Sequence, residues 1–291
     1  MNYQIESAHV ADYQLYTLPG IDFTLRGPQW PLEAETPSIS FLGAAQVFGA
    51  FCKYPFPNLV GEMCSARVFN FGRGGAGPGF YTDKKQIVDY VNNTDACVIQ
   101  LMSARSSAEN SYMTSVEGLT RVRLLSGPDI GKEMLGHVAF NELAKTLPKT
   151  EFFNLVIETR KAYVEQFKSL LDMITIPKIL LYVGRNPPLP YLAGPEDWEY
   201  RDLLGIHPHM VSTDMISDIL KHDKKLIAVE SYDAAGFDTR IMNRFTGNYV
   251  SIKRSETYTV TRHNAYISPE LHTSTALKLV PVLKNVLTSS Y

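Results

Sequence analysis

The chain opens on scattered apolar positions. Tyr13, Leu15, Tyr16, Ile21, Phe23 and Leu25 flank a Pro19-Gly20 turn, which predicts a short antiparallel hairpin in a β appendage over residues 1–37. From Ser38 the pattern changes, and compact apolar runs alternate with helical periodicity. The runs at 39–42, 68–71, 97–102, 179–183 and 226–229 lack a polar face, as strands do when helices cover both sides of a parallel sheet. Residues 84–92 have the spacing of a short helix, and 129–146 and 150–174 that of two longer ones parted at Pro148, so a helical insertion is expected over 129–174. Near the end, Ser268 can cap a helix, Pro269 suits its first position and Glu270 its positive end, with apolar residues following at Leu271, Ala276, Leu279 and Leu283. The alternation predicts an α/β fold: a three-layer, single α/β domain on a mainly parallel five-stranded sheet, a common solution at 291 residues.

Composition narrows the partners. With 28 Lys and Arg against 30 Asp and Glu, the formal charge is -2, so no global basic field draws in nucleic acid or anionic lipid. Residues 1–10 contain Glu6 and lack a basic start and an apolar core, so no secretory signal is expected there, and no apolar run approaches the roughly 20 residues that span a bilayer. Cys52, Cys64 and Cys97 show no CxxC spacing and read as buried, reduced thiols, the usage of a cytoplasmic protein. A small-molecule or carbohydrate partner is therefore expected, while no motif names a cofactor or an oligomeric state.

In a parallel α/β sheet, ligands gather beyond the carboxyl ends of the strands, so the chemistry is sought in the loops there. After the first run stand Ala44, Ala45 and Gln46; after the second, Asn70-Phe71-Gly72-Arg73-Gly74-Gly75-Ala76-Gly77-Pro78-Gly79. Glycines at that density bring backbone N–H groups close to an anion, and Arg73 adds charge. Gly72, Gly74 and Gly77 satisfy GxGxxG, but no acidic residue follows at the distance of a dinucleotide fingerprint. Ser103, Arg105, Ser106 and Ser107 follow the third run and suit a carboxylate, sulfate or phosphate; the competing role for Arg105 is a salt bridge to a neighbouring helix. His207 and His209 could ligate a metal, but no partner stands at a diagnostic spacing and no metal is assigned. His272, one turn into the last helix, is a candidate general base or a packed core residue, and Asp233 and Asp238 could orient a histidine.

The segments Asp12-Tyr13 through Arg26-Gly27-Pro28, residues 41–49, Pro55-Phe56-Pro57, the glycine loop, Val98 to Met102 and Ser268 to His272 resemble an uncharacterised bacterial family of unknown function. More distantly, Gly43 after a first strand, Asn70 and Gly72 after a second, a polar loop after a third and a late histidine resemble the SGNH (GDSL-type) hydrolases and acyltransferases, whose sheet is flavodoxin-like. That resemblance implies a serine nucleophile after the first strand, a glycine and an asparagine at the oxyanion, and an Asp-x-x-His pair. Here Ala44-Ala45 occupy the nucleophile's place and Pro269 the aspartate's, so only Gly72 and His272 transfer.

Three functions follow. The first is a transferase moving an acyl or sulfuryl group onto a carbohydrate hydroxyl, with His272 as base and Gly72, Asn70, Gly74, Gly75, Arg73 and Arg105 holding the donor. The second is a non-catalytic glycan- or anion-binding module around Ala44, Ala45 and Gln46. The third is a hydrolase with a relocated serine, Ser103, Ser106 or Ser107.

Overall fold

A computed structural model describes residues 7–197, 199–204, 207–233, 240–253, 259–262 and 266–288. The five apolar runs form the five strands. The chain passes through β1 (Ser38–Leu42), α1 (Ala45–Phe48), α2 (Phe56–Cys64), β2 (Arg67–Asn70), α3 (Pro78–Thr82), α4 (Lys85–Asn92) and β3 (Ala96–Gln100). It continues through β4 (Met113–Ser115), β5 (Arg121–Leu124), β6 (Glu133–Leu135), α5 (Gly136–Thr146), α6 (Lys149–Met173), β7 (Lys178–Gly184), α7 (Tyr200–Leu204) and α8 (Thr213–His222). It ends with β8 (Ile227–Tyr232), β9 (Ile252–Lys253), β10 (Thr259–Val260) and α9 (Pro269–Thr288).

The central sheet runs β2-β1-β3-β7-β8 with every pairing parallel. Renumbered along the sheet, this is the doubly wound order 2-1-3-4-5. Alternation along each strand divides the core between two faces. Ile39, Phe41, Val68, Val98, Ile179 and Leu181 pack with Phe56 of α2 and with Leu271, Ala276, Leu279 and Leu283 of α9. Leu42, Phe69, Cys97, Ile99, Leu180 and Tyr182 pack with Tyr81, Ile87, Phe167 and Ile219 from α3, α4, α6 and α8. Two helical layers thus enclose the sheet. Ser268 caps α9 as expected, its Oγ accepting the Leu271 N–H at 3.3 Å.

Several expectations change. The N-terminal hairpin reduces to one antiparallel pair, Tyr16 with Leu25; the same segment lies beside β2 through Arg26 and Asn70. Residues 129–135 belong not to a helix but to a three-stranded antiparallel meander, β4-β5-β6. Those strands are only three or four residues long, too short for a period of two to stand out. The long helix α6 is the crossover between β3 and β7, and it packs along the sheet by Phe152, Val156, Tyr163, Phe167 and Leu170. Strand β8 buries one face only: Val229 and Ser231 are buried, whereas Ala228, Glu230 and Tyr232, on the other face, are exposed. Cys52 and Cys97 are buried free thiols, but Cys64 is only partly buried. No helix of the described residues is long and apolar enough to cross a membrane.

Candidate active site at the sheet switch point

In the 2-1-3-4-5 order the crossovers diverge between β1 and β3, so the two loops leaving those strands splay apart and open a crevice. A cleft of about 200 Å³ lies there. Its walls are Ala44, Ala45 and Gln46 from the β1 loop, Gly74, Gly75 and Ala76 from the β2 loop, and Ser103, Arg105 and Ser106 from the β3 loop, joined by Thr120, His207, His209 and Tyr266.

Local chemistry fixes the β1 wall. Gln100, fully buried at the end of β3, accepts the Ala44 N–H through Oε1 at 2.9 Å and donates through Nε2 to Gln46 Oε1 at 3.2 Å. Gly43 leaves room for this: a Cβ there would meet Val47 Cγ2 at 2.4 Å and Gln100 Oε1 at 2.5 Å. An amide inside an otherwise apolar strand was the sequence signal for Gln100, and the reading above assigns it no role.

The β3 wall turns into a short 3₁₀ segment, Ala104–Ser107. Ser103, just before it, is 5% exposed, and its Oγ lies 2.9 Å from Nδ1 of His209, itself 8% exposed. The two are 106 residues apart. His209 is held in place by its own carbonyl, which accepts the Ala104 N–H at 3.1 Å. The next residue, Met210, is buried with φ +63°, a left-handed conformation a side chain adopts at some cost and one that recurs where geometry serves function. Burial pushes the His209 imidazole well below its ordinary range, and the positive charge of Arg105 pushes the same way, with His207 and His137 adding to it. His207 is lowered to about 3 by burial and then by Arg105. Both rings are therefore neutral near pH 7. Their centroids are 5.6 Å apart, and among the described residues no cluster of three His, Cys, Asp or Glu side chains could hold a metal ion.

Arg105 is the charged side chain among the described residues that line the cleft. Its Nε is buried with no hydrogen-bond partner, as is Ser106 Oγ, and burial lowers the guanidinium to about 10.

The other predicted residues are distributed as follows. Asn70 braces the loop, Nδ2 donating to the Val47 carbonyl at 2.8 Å and Oδ1 accepting the Gly72 N–H at 2.9 Å. The N–H groups of Arg73, Ala76 and Gly77 donate to the carbonyls of Gly43, Arg73 and Gly118, so much of the expected anion cradle is used within the protein. The Arg73 guanidinium lies 5.3 Å from the Phe23 ring centroid and does not line the cleft. His272 is 1% exposed in the other layer, where its Nδ1 accepts the Phe56 N–H at 3.1 Å; it too is absent from the cleft. Arg73, Arg105 and His272 therefore do not converge, and the histidine that meets a candidate nucleophile is His209. Ser107 Oγ is buried without a partner outside the cleft, and Asp238 lies outside the described residues.

A comparison with curated protein sequences finds no match. Among solved structures, the chain is similar to an acetyl xylan esterase from the rumen bacterium Butyrivibrio proteoclasticus, with a TM-score of 0.44 and 12% identity over 91% of this chain and 67% of that one. It is also similar to a family two carbohydrate esterase from Clostridium thermocellum solved with cellohexaose, at 0.43 and 10% over 91% and 68%. A protein assigned to the G-D-S-L lipolytic family from Desulfitobacterium hafniense gives 0.35 and 14% over 86% and 98%. In sequence, residues 1–121, which carry β1, β2, β3 and all three loop walls of the cleft but not His207, His209 or Tyr266, match the family described as a domain of unknown function, DUF6473.

Proposed function

We propose that the protein is a serine-dependent acyl-transfer enzyme, with Ser103 as nucleophile and His209 as its base. The observation that carries this reading is the 2.9 Å contact between Ser103 Oγ and His209 Nδ1 in a cleft at the switch point of the sheet. A serine hydroxyl becomes a competent nucleophile when a neutral imidazole within hydrogen-bond reach takes its proton. Ser103 Oγ attacks the acyl carbonyl, its proton passes to His209, and the tetrahedral intermediate collapses by expelling the alcohol, which takes that proton. Water, or the hydroxyl of a carbohydrate acceptor, then attacks the acyl-serine with His209 again receiving the proton, giving hydrolysis or transfer.

Among the described residues no carboxylate meets His209, unlike the Ser-His-Asp arrangement in which one orients the histidine. The Ala104–His209 backbone bond and the packing around Met210 position the ring instead. This serine stands after the third strand, so Ala44-Ala45 after the first do not disqualify the site.

The test is labelling by a fluorophosphonate, which traps activated serines. Wild-type protein should be labelled, and Ser103→Ala and His209→Ala should each lower the rate by about 10³-fold or more, the scale on which removing one member of such a unit acts. The acid limb of the labelling profile should fall below the ordinary histidine value of about 6.5, because His209 stays neutral there. Absence of labelling in folded wild-type protein, with a glycan or anion still bound, would instead support the binding-module reading.

A further inference from the structure

The dyad accounts for Ser103 and His209 but not for Arg105 and Ser106. Arg105 sits in the wall of the cleft with a buried Nε that no atom accepts from, and no described carboxylate pairs with it. Removing a guanidinium from water without a partner is costly, and proteins usually satisfy it with a carboxylate or with carbonyls. This chain does both elsewhere: Arg160 has Asp214, and Arg26, whose Nε is likewise unmet, donates from both Nη atoms to the carbonyls of Phe48, Gly49, Cys52 and Lys53. Beside Arg105, Ser106 Oγ is also buried and unsatisfied. The remaining described walls hold small residues, Thr120, Tyr266 and two imidazoles, with no acid among them. The cleft is therefore a neutral-to-positive pocket with unmet donors.

We infer that the cleft takes a substrate bearing an oxyanion, a carboxylate or a sulfate, which Arg105 binds through its planar fork and Ser106 through its hydroxyl, next to the acyl group presented to Ser103. This rests on the dyad reading only for where the acyl group lies; the anion subsite stands on Arg105 and Ser106 alone. A guanidinium meets two oxygens of a carboxylate or sulfate side by side, which a neutral sugar hydroxyl cannot reproduce. The class implied is an acylated acidic saccharide or another acylated small acid. An anion at Arg105 would also offset the positive charge acting on His209 and raise its basicity when substrate is bound. The groups acting on that ring are Arg105, His207 and His137, and none of them is anionic.

The experiment uses sodium sulfate, methyl glucuronate and the neutral methyl glucoside as probes, titrated at constant ionic strength into wild type, Ser103→Ala, Arg105→Gln and Arg105→Lys. Binding is read by calorimetry, and the protonation of His209 by imidazole NMR. Sulfate or glucuronate should bind wild type and Ser103→Ala alike, raise the pH at which His209 protonates in both, and bind Arg105→Gln at least tenfold more weakly. Arg105→Lys keeps the charge without the fork and should fall between. Preference for sulfate or for glucuronate identifies the oxyanion, and either supports the inference. Equal affinity in Arg105→Gln, binding of glucoside but of neither anion, or no binding of any anion to folded protein would overturn it. Because Ser103→Ala removes the nucleophile but not the subsite, failed labelling and failed anion binding are separate results.

Discussion

Arg160 and Arg105 lie on the same side of the sheet, in or beside the same crossover, and differ in one respect. Arg160 of α6 is 5% exposed, and its Nη2 donates to both carboxylate oxygens of Asp214 at 3.1 Å and to Ser212 Oγ, while its Nε donates to Met215 Sδ. It fastens the crossover helix to the start of α8. Arg105 follows β3, is partly buried, and among the described residues no acceptor meets its Nε. One arginine is satisfied by the fold, whereas the other keeps an unmet Nε in the wall of a cleft. Where a chain supplies partners for one buried charge and withholds them from another, the second is the better candidate for ligand recognition.

The largest effect should come from testing this contrast directly. Arg160→Met removes the buried partner of Asp214, whose carboxylate is itself partly exposed, and should cost about 2 kcal/mol in urea unfolding, less than breaking a fully buried pair. Arg105→Met leaves no carboxylate behind and should be neutral or stabilising, within about 1 kcal/mol. Equal losses in the two variants would break the comparison.

A second pair of residues extends it to the histidines. His272 is enclosed between α2 and α9, and His272→Ala should destabilise by about 2 kcal/mol, because the Phe56 N–H loses its acceptor and a cavity opens. His209→Ala should cost less than half of that, since its partner hydroxyl lines a cleft where water can replace the ring. Chemical denaturation of both variants decides it.

The smallest effect, taken per pH unit, is the acid dependence of stability. His207 is lowered to about 3 in the folded protein, while its unfolded value is about 6.5. Below about 6.5 the unfolded chain binds a proton that the folded chain does not, so stability is fully present above that pH and is lost as pH falls toward 3. The slope should approach about 1 kcal/mol per pH unit for this group, and His207→Gln should flatten it. A slope unchanged by that substitution would show that His207 does not carry the penalty.

Much of the architecture was legible along the chain. Strands β1, β2, β3 and β7 announced themselves because both their faces are covered, which leaves unbroken apolar runs; β8, covered on one face, was found from the short run that opens it. The last helix was legible because Ser268, Pro269 and Glu270 act on their nearest neighbours. The meander was not, because Arg121-Val122-Arg123-Leu124 alternates over only four positions, with Val122 buried between exposed arginines, and the strands beside it have three residues each, too few for the period to stand out. The N-terminal hairpin was over-read from aromatic residues that pack against the core singly rather than pairing as strands.

The site divides in the same way. The sequence by itself determined the loops at which chemistry could occur, and it brought forward Ser103 and Arg105, because residue type and position after a buried strand are local properties. It pointed to His272 as the base and gave His209 only a possible metal role, so it did not pair His209 with that serine. That choice depends on which face of the sheet a helix covers and on how the β7–α8 loop meets the end of β3, and both follow from packing between residues about a hundred positions apart. Only the tertiary structure decided that His272 serves the core, that His209 meets Ser103, and that no described residue accepts from Arg105 Nε, because burial and pairing are properties of the assembled layers and no single segment contains them.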